Sequence, residues 1–302
     1  MLTGLPTLLQ PKTAAAGLRY LVDRNGGKSG PRISNIATYL PTLARRLDVS
    51  EETVTRLRKM AAKLRVTQRG MSERNREALR AFDDEEAVKA LLGLPARIVD
   101  EVHKSGRKTY RKAKLIQTAL AIELLLNAPV RIQNLASTEV DRHLVDLSTR
   151  RERRVHLRFP AHEVKNTVDL EFPLMVEAVD LLDLYLVVWR PILFEEQDSP
   201  FLFPGKRPGR PKCTTVLSVQ IKEVVFARTR LAMTAHRFRH AVGKIFLDRN
   251  PGQYEVVRQL LGHKSIKTTI AFYAGAETAT AARHYAKTIL GIRHHERQLE
   301  SR

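Results

Sequence analysis

Cysteine is nearly missing from this chain, because Cys213 is the only cysteine among 302 residues. A single cysteine can form neither an intramolecular disulfide nor a cysteine zinc site. A disulfide-stapled secreted module and a zinc finger are therefore excluded. Such cysteine usage is typical of a reducing compartment, and we expect a cytoplasmic protein.

Long apolar runs are missing as well. No stretch of eighteen apolar residues occurs, and residues 1–10 have neither the charged start nor the long apolar centre of a secretory signal. The sequence thus predicts neither a membrane span nor a membrane partner.

Acidic residues are scarce relative to basic ones. Asp and Glu number 32 against 52 Lys and Arg, which gives a net charge of +20 and a pI of about 10.4. The basic residues are bunched in residues 103–114 (HKSGRKTYRKAK), 150–154 (RRERR) and 205–212 (GKRPGRPK). Charge runs are usually solvated surface, but a protein this basic accumulates on polyanions, and double-stranded DNA is the partner we expect.

A Gly-Gly-Lys-Ser stretch at residues 26–29 is similar to part of a phosphate loop. The full spacing Gly-x4-Gly-Lys-Ser/Thr is absent. We therefore predict no nucleotide cofactor.

The length of the chain suggests two domains. Residues 1–80 read as a helical portion with candidate helices at 13–24, 33–47 and 51–64 and with Ser50 and Ser72 as helix caps. The second domain is expected at residues 83–302. The first portion looks short at its start, so we expect it to be an incomplete domain.

Residues 83–302 combine helices with a β-hairpin. Apolar and polar residues alternate over 155–159 and again over 168–172, which predicts two antiparallel strands with Lys165 in their connection. Helices are expected at 115–126, from Arg131, at 176–189 and after His236, and residues 201–204 look strand-like. The predicted fold class is mostly α with a small antiparallel β-sheet (α+β).

Chemistry-bearing side chains follow one another in a fixed order. They are Arg131, Lys165, His236-x-x-Arg239, Leu-Gly-His263 and Tyr273. Each fragment alone is weak, since Arg131 could pair with an acidic neighbour, Lys165 could be a solvated turn residue and His263 a structural histidine. In this order, the set resembles the catalytic residues of the tyrosine recombinase (phage integrase) family, and the resemblance extends from about residue 83 to 292.

The resemblance implies a role for each residue. Arg131 and Arg239 would clamp the scissile phosphate, because forked donors match its oxygens. His236 would be a hydrogen-bond partner and possible base for the nucleophile, and His263 would donate to a phosphate oxygen. Lys165 would be the general acid toward the leaving 5′ oxygen, and Tyr273 the nucleophile.

Two positions depart from the pattern of the family. Asn134 stands where an acidic residue usually follows the first arginine. Phe272, not Tyr273, stands at the usual distance from the Leu-Gly-His histidine. If Tyr273 is the nucleophile, we expect Phe272 to point into the core.

The family implies site-specific DNA cleavage and rejoining through a 3′-phosphotyrosyl intermediate, on behalf of a mobile genetic element and without metal or ATP. It also implies a homotetramer on DNA, joined by a tail helix at residues 277–290, and an N-terminal portion that clamps DNA. Two alternatives stay open: a type IB topoisomerase, and a catalytically impaired DNA-binding protein that occupies recombination sites.

Overall fold

The computed structural model describes residues 4–66, 70–193 and 199–273, with short helical pieces at 282, 285–286 and 288–290. The chain divides into two compact units, Met1–Arg69 and Gly70–Arg302. Within the described residues, no helix is both long and apolar enough to cross a membrane. The predicted tail helix at 277–290 lies for the most part outside the described residues.

The first unit is helical in all its described elements. These are α1 (Leu5–Leu8), α2 (Pro11–Arg24), α3 (Pro31–Arg46) and α4 (Glu51–Lys63). The Ser50 hydroxyl accepts a hydrogen bond from the Thr53 N–H at 3.4 Å, which satisfies one free donor at the start of α4. The three helices predicted from the sequence are confirmed, with ends that differ by at most two residues.

The second unit contains the remaining helices and all described strands. In chain order they are α5 (Glu73–Arg80), α6 (Glu85–Leu92), α7 (Leu94–Lys104), α8 (Tyr110–Asn127), α9 (Ile132–Ala136), α10 (Val140–His143), β1 (Leu144–Asp146), β2 (Val155–Phe159), β3 (Leu170–Pro173), α11 (Val176–Leu184), α12 (Thr214–Thr229), α13 (Ala235–Arg249), α14 (Tyr254–Leu260) and α15 (Ile266–Tyr273). Short 3-10 turns lie at Ala81–Asp83, Ala161–Glu163 and Arg190–Leu193.

The three strands form one antiparallel sheet in the order β1-β2-β3. Leu157 at its centre pairs with Leu144 on one side and with Phe172 on the other. Along β2 the apolar residues are buried and Arg158 is exposed, as the alternating pattern predicts. The mostly α fold with a small antiparallel sheet is confirmed, and β1 is a third strand that the sequence did not indicate.

Helix α8 forms the centre of the second unit. Its apolar residues are buried around most of its circumference, and an all-round apolar helix of this kind is stable only inside a core. The buried Gln117 donates to the Tyr185 hydroxyl at 2.8 Å, and this hydroxyl donates to the Leu202 carbonyl at 2.9 Å. This rigid helix ends at Asn127, four residues before Arg131.

Three local predictions differ from the structure. Residues 201–204 form isolated bridges, Glu139 with Phe201 and Pro204 with Pro211, because proline cannot donate to a strand ladder. Ser72 precedes α5, but its side chain makes no capping hydrogen bond. The helix predicted at 176–189 is α11 followed by a π-helical turn at Tyr185–Trp189.

Candidate active site

Arg131 occupies the N-terminal cap position of α9, where its backbone is extended (φ −72°, ψ 148°). Its side chain is half-buried, and Nη2 donates to Asn166 Oδ1 at 3.1 Å. Burial lowers the pKa of the guanidinium. Within the part of the chain that the structure describes, no carboxylate pairs with Arg131, so the alternative of a simple ion pair with an acidic neighbour is not observed.

Arg239 lies on α13 and is 4% exposed. Its guanidinium donates to the carbonyl oxygens of Pro129 and of Leu261, the latter at 2.6 Å. Burial and the nearby positive charge of Arg131 lower its pKa to about 10, so the Arg239 guanidinium is charged at neutral pH. Two like charges are thus held near each other by a rigid frame.

Asn166 connects the β2–β3 turn to the turn after α14. Its Oδ1 accepts from Arg131, and its Nδ2 donates to the Gly262 carbonyl at 2.6 Å. A second link joins the same turns, because Lys264 Nζ lies 3.1 Å from Thr167 Oγ1. Lys165, the residue before Asn166, is exposed on this anchored turn.

His263 follows Gly262, whose positive φ of 57° turns the chain sharply at this point. Its Nδ1 lies 2.9 Å from the hydroxyl of the buried Thr269. Burial, with the positive charges of Arg239, Arg131 and Arg258, lowers the pKa of His263 to about 4. The ring is therefore neutral at pH 7.

His236 is the second residue of α13, the helix that also carries Arg239, and it is exposed. Partial desolvation, followed by the positive charges of Arg239 and then Arg131, lowers its pKa. The two arginines therefore act electrostatically on both His236 and His263. Four predicted site residues, from α9, α13 and the α14–α15 turn, converge on one place.

Tyr273 does not face this cluster. It is 1% exposed, and its hydroxyl donates to the Arg239 carbonyl at 3.3 Å. The ring packs against Gly243, where an added Cβ would lie 2.4 Å from the hydroxyl oxygen. Burial raises the pKa of this phenol above its ordinary value.

Phe272 packs against the edge of the core. It is half-buried, and its ring stacks on the His240 imidazole with centroids 4.5 Å apart and an interplanar angle of 19°. The sequence argument expected Phe272 in the core and Tyr273 at the site. The structure instead buries Tyr273 in the core, where its ring fills the space beside Gly243, and leaves Phe272 half-buried at the edge of the core.

Two residues of the site were missed in the sequence. His240 is 7% exposed, and its Nε2 lies 3.1 Å from His236 Nε2. Their separation of four residues on one helix face could have indicated this contact. Asn166, the second missed residue, gives no such signal in the sequence.

Asn134 was expected beside Arg131, but its amide donates to the Glu163 carbonyl at 3.1 Å. Asn166 accepts the hydrogen bond from the Arg131 guanidinium instead.

Two of the three basic clusters meet at a cleft of about 670 Å³ between α8 and the loop before α12. Its cationic lining comes from Lys114, Lys206, Arg207, Arg210 and Lys212. Burial and the charge of Lys114 lower the pKa of Lys212 to about 8. In the third cluster, by contrast, Arg153 is paired with Asp146 and Asp183, and Arg154 with Glu152.

Comparison with known families gives one match that covers more than half of the chain. The model of the phage integrase family matches residues 96–279. The chain therefore belongs to the phage integrase family. The family predicted from the order of Arg131, Lys165, His236, Arg239, His263 and Tyr273 is confirmed.

Solved structures of recombinases are similar at low sequence identity. The XerH site-specific recombinase, in a post-cleavage complex with a palindromic difH substrate, is 15% identical with a TM-score of 0.49 over 67% of this chain and 51% of its own. The XerA recombinase is 16% identical with a TM-score of 0.43, covering 94% and 85%. The Tn1549 transposon integrase, in complex with a circular intermediate DNA, is 16% identical with a TM-score of 0.47, covering 92% and 85%.

The aligned region thus spans about half the length of the XerH chain. A search of curated protein sequences gives no match.

Proposed function

We propose that this chain cleaves and rejoins double-stranded DNA at recombination sites through a 3′-phosphotyrosyl intermediate. One observation carries the proposal: two guanidiniums and two imidazoles converge, and no carboxylate pairs with any of them among the described residues. Positive charges held together without a counterion favour binding of an anion, and a phosphodiester supplies one.

Arg131 and Arg239 would hold the non-bridging oxygens of the scissile phosphate. Because Arg239 is fixed by two carbonyls and Arg131 by Asn166, their donors are oriented before substrate arrives. Preorganised donors of this kind stabilise charge that develops in a transition state. His263, neutral and held through Nδ1 by Thr269, has its Nε2 left for a third contact.

Lys165 would be the general acid. Lys165 is exposed, so its ammonium is free to move. The turn that carries Lys165 is held near the site, because Asn166 donates a hydrogen bond to the Gly262 carbonyl. In cleavage, the bond between phosphorus and the 5′ oxygen breaks, and this oxygen takes a proton from Lys165. Rejoining reverses the step with a 5′ hydroxyl of another strand.

Tyr273 would be the nucleophile, whose oxygen forms the new bond to phosphorus while its proton passes to solvent water. In the described arrangement its hydroxyl is buried and bonded to the Arg239 carbonyl. Cleavage therefore requires α15 to turn so that Tyr273 leaves its place against Gly243. We regard the described arrangement as a resting state in which the phenol is shielded.

The partners follow from the reaction. Exchange between two duplexes needs four active sites, so we propose a homotetramer on DNA. The cationic cleft between α8 and the loop at 205–212 would contact the phosphate backbone, which positions a duplex without reading its sequence.

A nicked duplex that releases a short strand after cleavage tests the proposal. An active enzyme becomes covalently trapped on such DNA, and this product remains in denaturing gels. A second candidate function, a DNA-binding protein without cleavage, is favoured by the buried Tyr273. That protein would bind the same duplex and leave no covalent product.

A further inference from the structure

His240 has one ring nitrogen without a partner. It lies deep in the second unit, and Nδ1 is buried without a hydrogen bond within the described part of the chain. The other nitrogen, Nε2, lies 3.1 Å from His236 Nε2. A buried polar atom without a partner costs free energy, so this arrangement restricts how the protons are distributed.

Of two facing imidazole nitrogens, one must carry a proton and the other must accept it. Burial, followed by repulsion from His236, Arg239 and His263 whenever these groups are charged, lowers the pKa of His240 to about 3, so its ring is neutral and carries a single proton at pH 7. That proton lies either on Nε2, facing His236, or on Nδ1, facing no acceptor. Buried N–H groups without an acceptor are rare in proteins. A proton on His240 Nε2 avoids such a group, because His236 Nε2 then accepts the hydrogen bond.

With the His240 proton on Nε2, His236 must accept through its own Nε2. A neutral His236 then carries its proton on Nδ1. This Nδ1 makes no hydrogen bond to any residue in the described ranges, and the ring is exposed at the site. His236 therefore presents an N–H group to whatever occupies the site.

Stacking fixes the orientation of the His240 ring. Phe272 lies parallel to it on one side, and the His236 ring meets its edge, with centroids 4.6 Å apart at 83°. The contact between the two histidines is thus held by packing on both rings. Rotation of His240 would lose the stacking and the hydrogen bond together.

We propose that His240 is a positioning residue that fixes His236 as its Nδ1–H tautomer, so that His236 donates a hydrogen bond to the scissile phosphate and does not act as a base. The phosphate as ligand rests on the proposed function. The tautomer itself is a property of the free protein.

Nitrogen-15 spectra of the full chain, labelled at histidine and free of DNA, test this directly at pH 7.5. We expect a pyrrole-type signal for His236 Nδ1 and a pyridine-type signal for Nε2, assigned by their loss in His236→Gln. His240→Phe keeps a stacked ring and removes the donor, so His236 should become a mixture of both tautomers. His240→Gln places an amide N–H near the lost one and should restore the single tautomer.

Cleavage of the nicked duplex gives a second readout. His240→Phe should lower the single-turnover rate about 10-fold or more, as expected when a histidine loses its fixed tautomer, with DNA affinity unchanged. His240→Gln should recover most of the rate. His162→Gln, an exposed histidine in the β2–β3 connection, is the control.

The proposal is overturned if the unaltered protein shows a proton on His236 Nε2, or if His240→Phe leaves the tautomer unchanged. The first result is read on the unaltered protein, and His236→Gln serves only to assign the signals. Absence of cleavage in the unaltered protein, with the expected tautomer present, would instead contradict the proposed function.

Discussion

The hydroxyl of Tyr273 donates a hydrogen bond to the backbone carbonyl of Arg239, and the two oxygens are 3.3 Å apart. The side chain of Tyr273 is thus bound to the backbone of α13, the helix that carries Arg239. The guanidinium of Arg239 points the other way, to the carbonyls of Pro129 and Leu261. Cleavage needs the phenol to leave this place.

Gly243→Ala should release the phenol. The added Cβ would lie 2.4 Å from the hydroxyl oxygen and 2.7 Å from Cζ of Tyr273, so the ring must move. We expect the second unit to lose about 1–3 kcal/mol of unfolding free energy, the usual cost of overpacking. Covalent trapping on a nicked duplex should become faster, because the shielded arrangement is destabilised.

Gly17→Ala is the matched control for this variant. Gly17 is also within a helix, but a Cβ there has no atom within 4 Å. This change should leave the trapping rate unaltered. If Gly243→Ala trapped no faster than the control while remaining folded, the resting-state interpretation of Tyr273 would be wrong.

Arg131→Ala and Arg239→Ala should separate catalysis from stability. Each loses phosphate donors, so cleavage should fall on the order of 10²-fold or more, with smaller losses in DNA affinity. Only Arg239→Ala also leaves two buried carbonyls without their donor, which costs about 1–3 kcal/mol each. Urea unfolding followed through Trp189, the single tryptophan, should show the difference.

Arg76→Ala is the control for these two variants, because it loses only an exposed ion pair with Glu73 at 2.7 Å. Equal losses of cleavage and of DNA affinity in Arg131→Ala would mean that this arginine is a DNA contact and not a transition-state donor.

Asn166 gives a test of how Arg131 is oriented. Asn166→Ala removes both the acceptor for Arg131 and the donor to the Gly262 carbonyl, and cleavage should fall about 10-fold or more because the guanidinium is no longer held. Asn166→Asp keeps an acceptor for Arg131 and loses the donor to the Gly262 carbonyl, but it also adds a negative charge beside the guanidinium. It should therefore retain the orientation of Arg131 but loosen the turn before His263. Full activity of Asn166→Ala would show that the link has no catalytic role.

Stability should depend on pH through His263. Its pKa is about 4 in the folded protein and about 6.5 when unfolded, so below pH 6.5 the unfolded chain binds more protons. The contribution of His263 is present above pH 6.5 and is lost as the pH falls toward 4. Urea unfolding at pH 7.5, 5.5 and 4.5 should show this decrease, and His263→Gln should make it shallower. An unchanged slope in His263→Gln would show that His263 is not desolvated as described.

Much of this architecture could be predicted from the sequence. The alternating residues of β2, the apolar segment of α8 and the Ser50 cap of α4 are local signals, and each matched its element, whereas Ser72 precedes α5 without capping it. The order of Arg131, Lys165, His236, Arg239, His263 and Tyr273 was enough to recognise the family. Of these residues, Arg131, His236, Arg239 and His263 converge, whereas Tyr273 is buried in the core.

The remainder depends on packing between distant segments. Asn166 acts through Arg131 and Gly262, which are 35 and 96 residues away in the chain, so no local pattern predicts its role. The direction of Tyr273 depends on the absence of a side chain at Gly243, thirty residues earlier. The spacing from His263 distinguishes position 272 from position 273, but it does not show where the ring of Phe272 or of Tyr273 packs.

The central claim is that Tyr273 forms the covalent bond to DNA. The direct measurement is mass spectrometry of the peptide trapped on a nicked duplex in the presence of excess EDTA. We predict an adduct on Tyr273, unaffected by EDTA and absent in Tyr273→Phe, which should still bind DNA. The reciprocal variant, Phe272→Tyr with Tyr273→Phe, should stay untrapped. An adduct on another tyrosine such as Tyr285, trapping that requires magnesium, or recovery of trapping in the reciprocal variant would contradict the account.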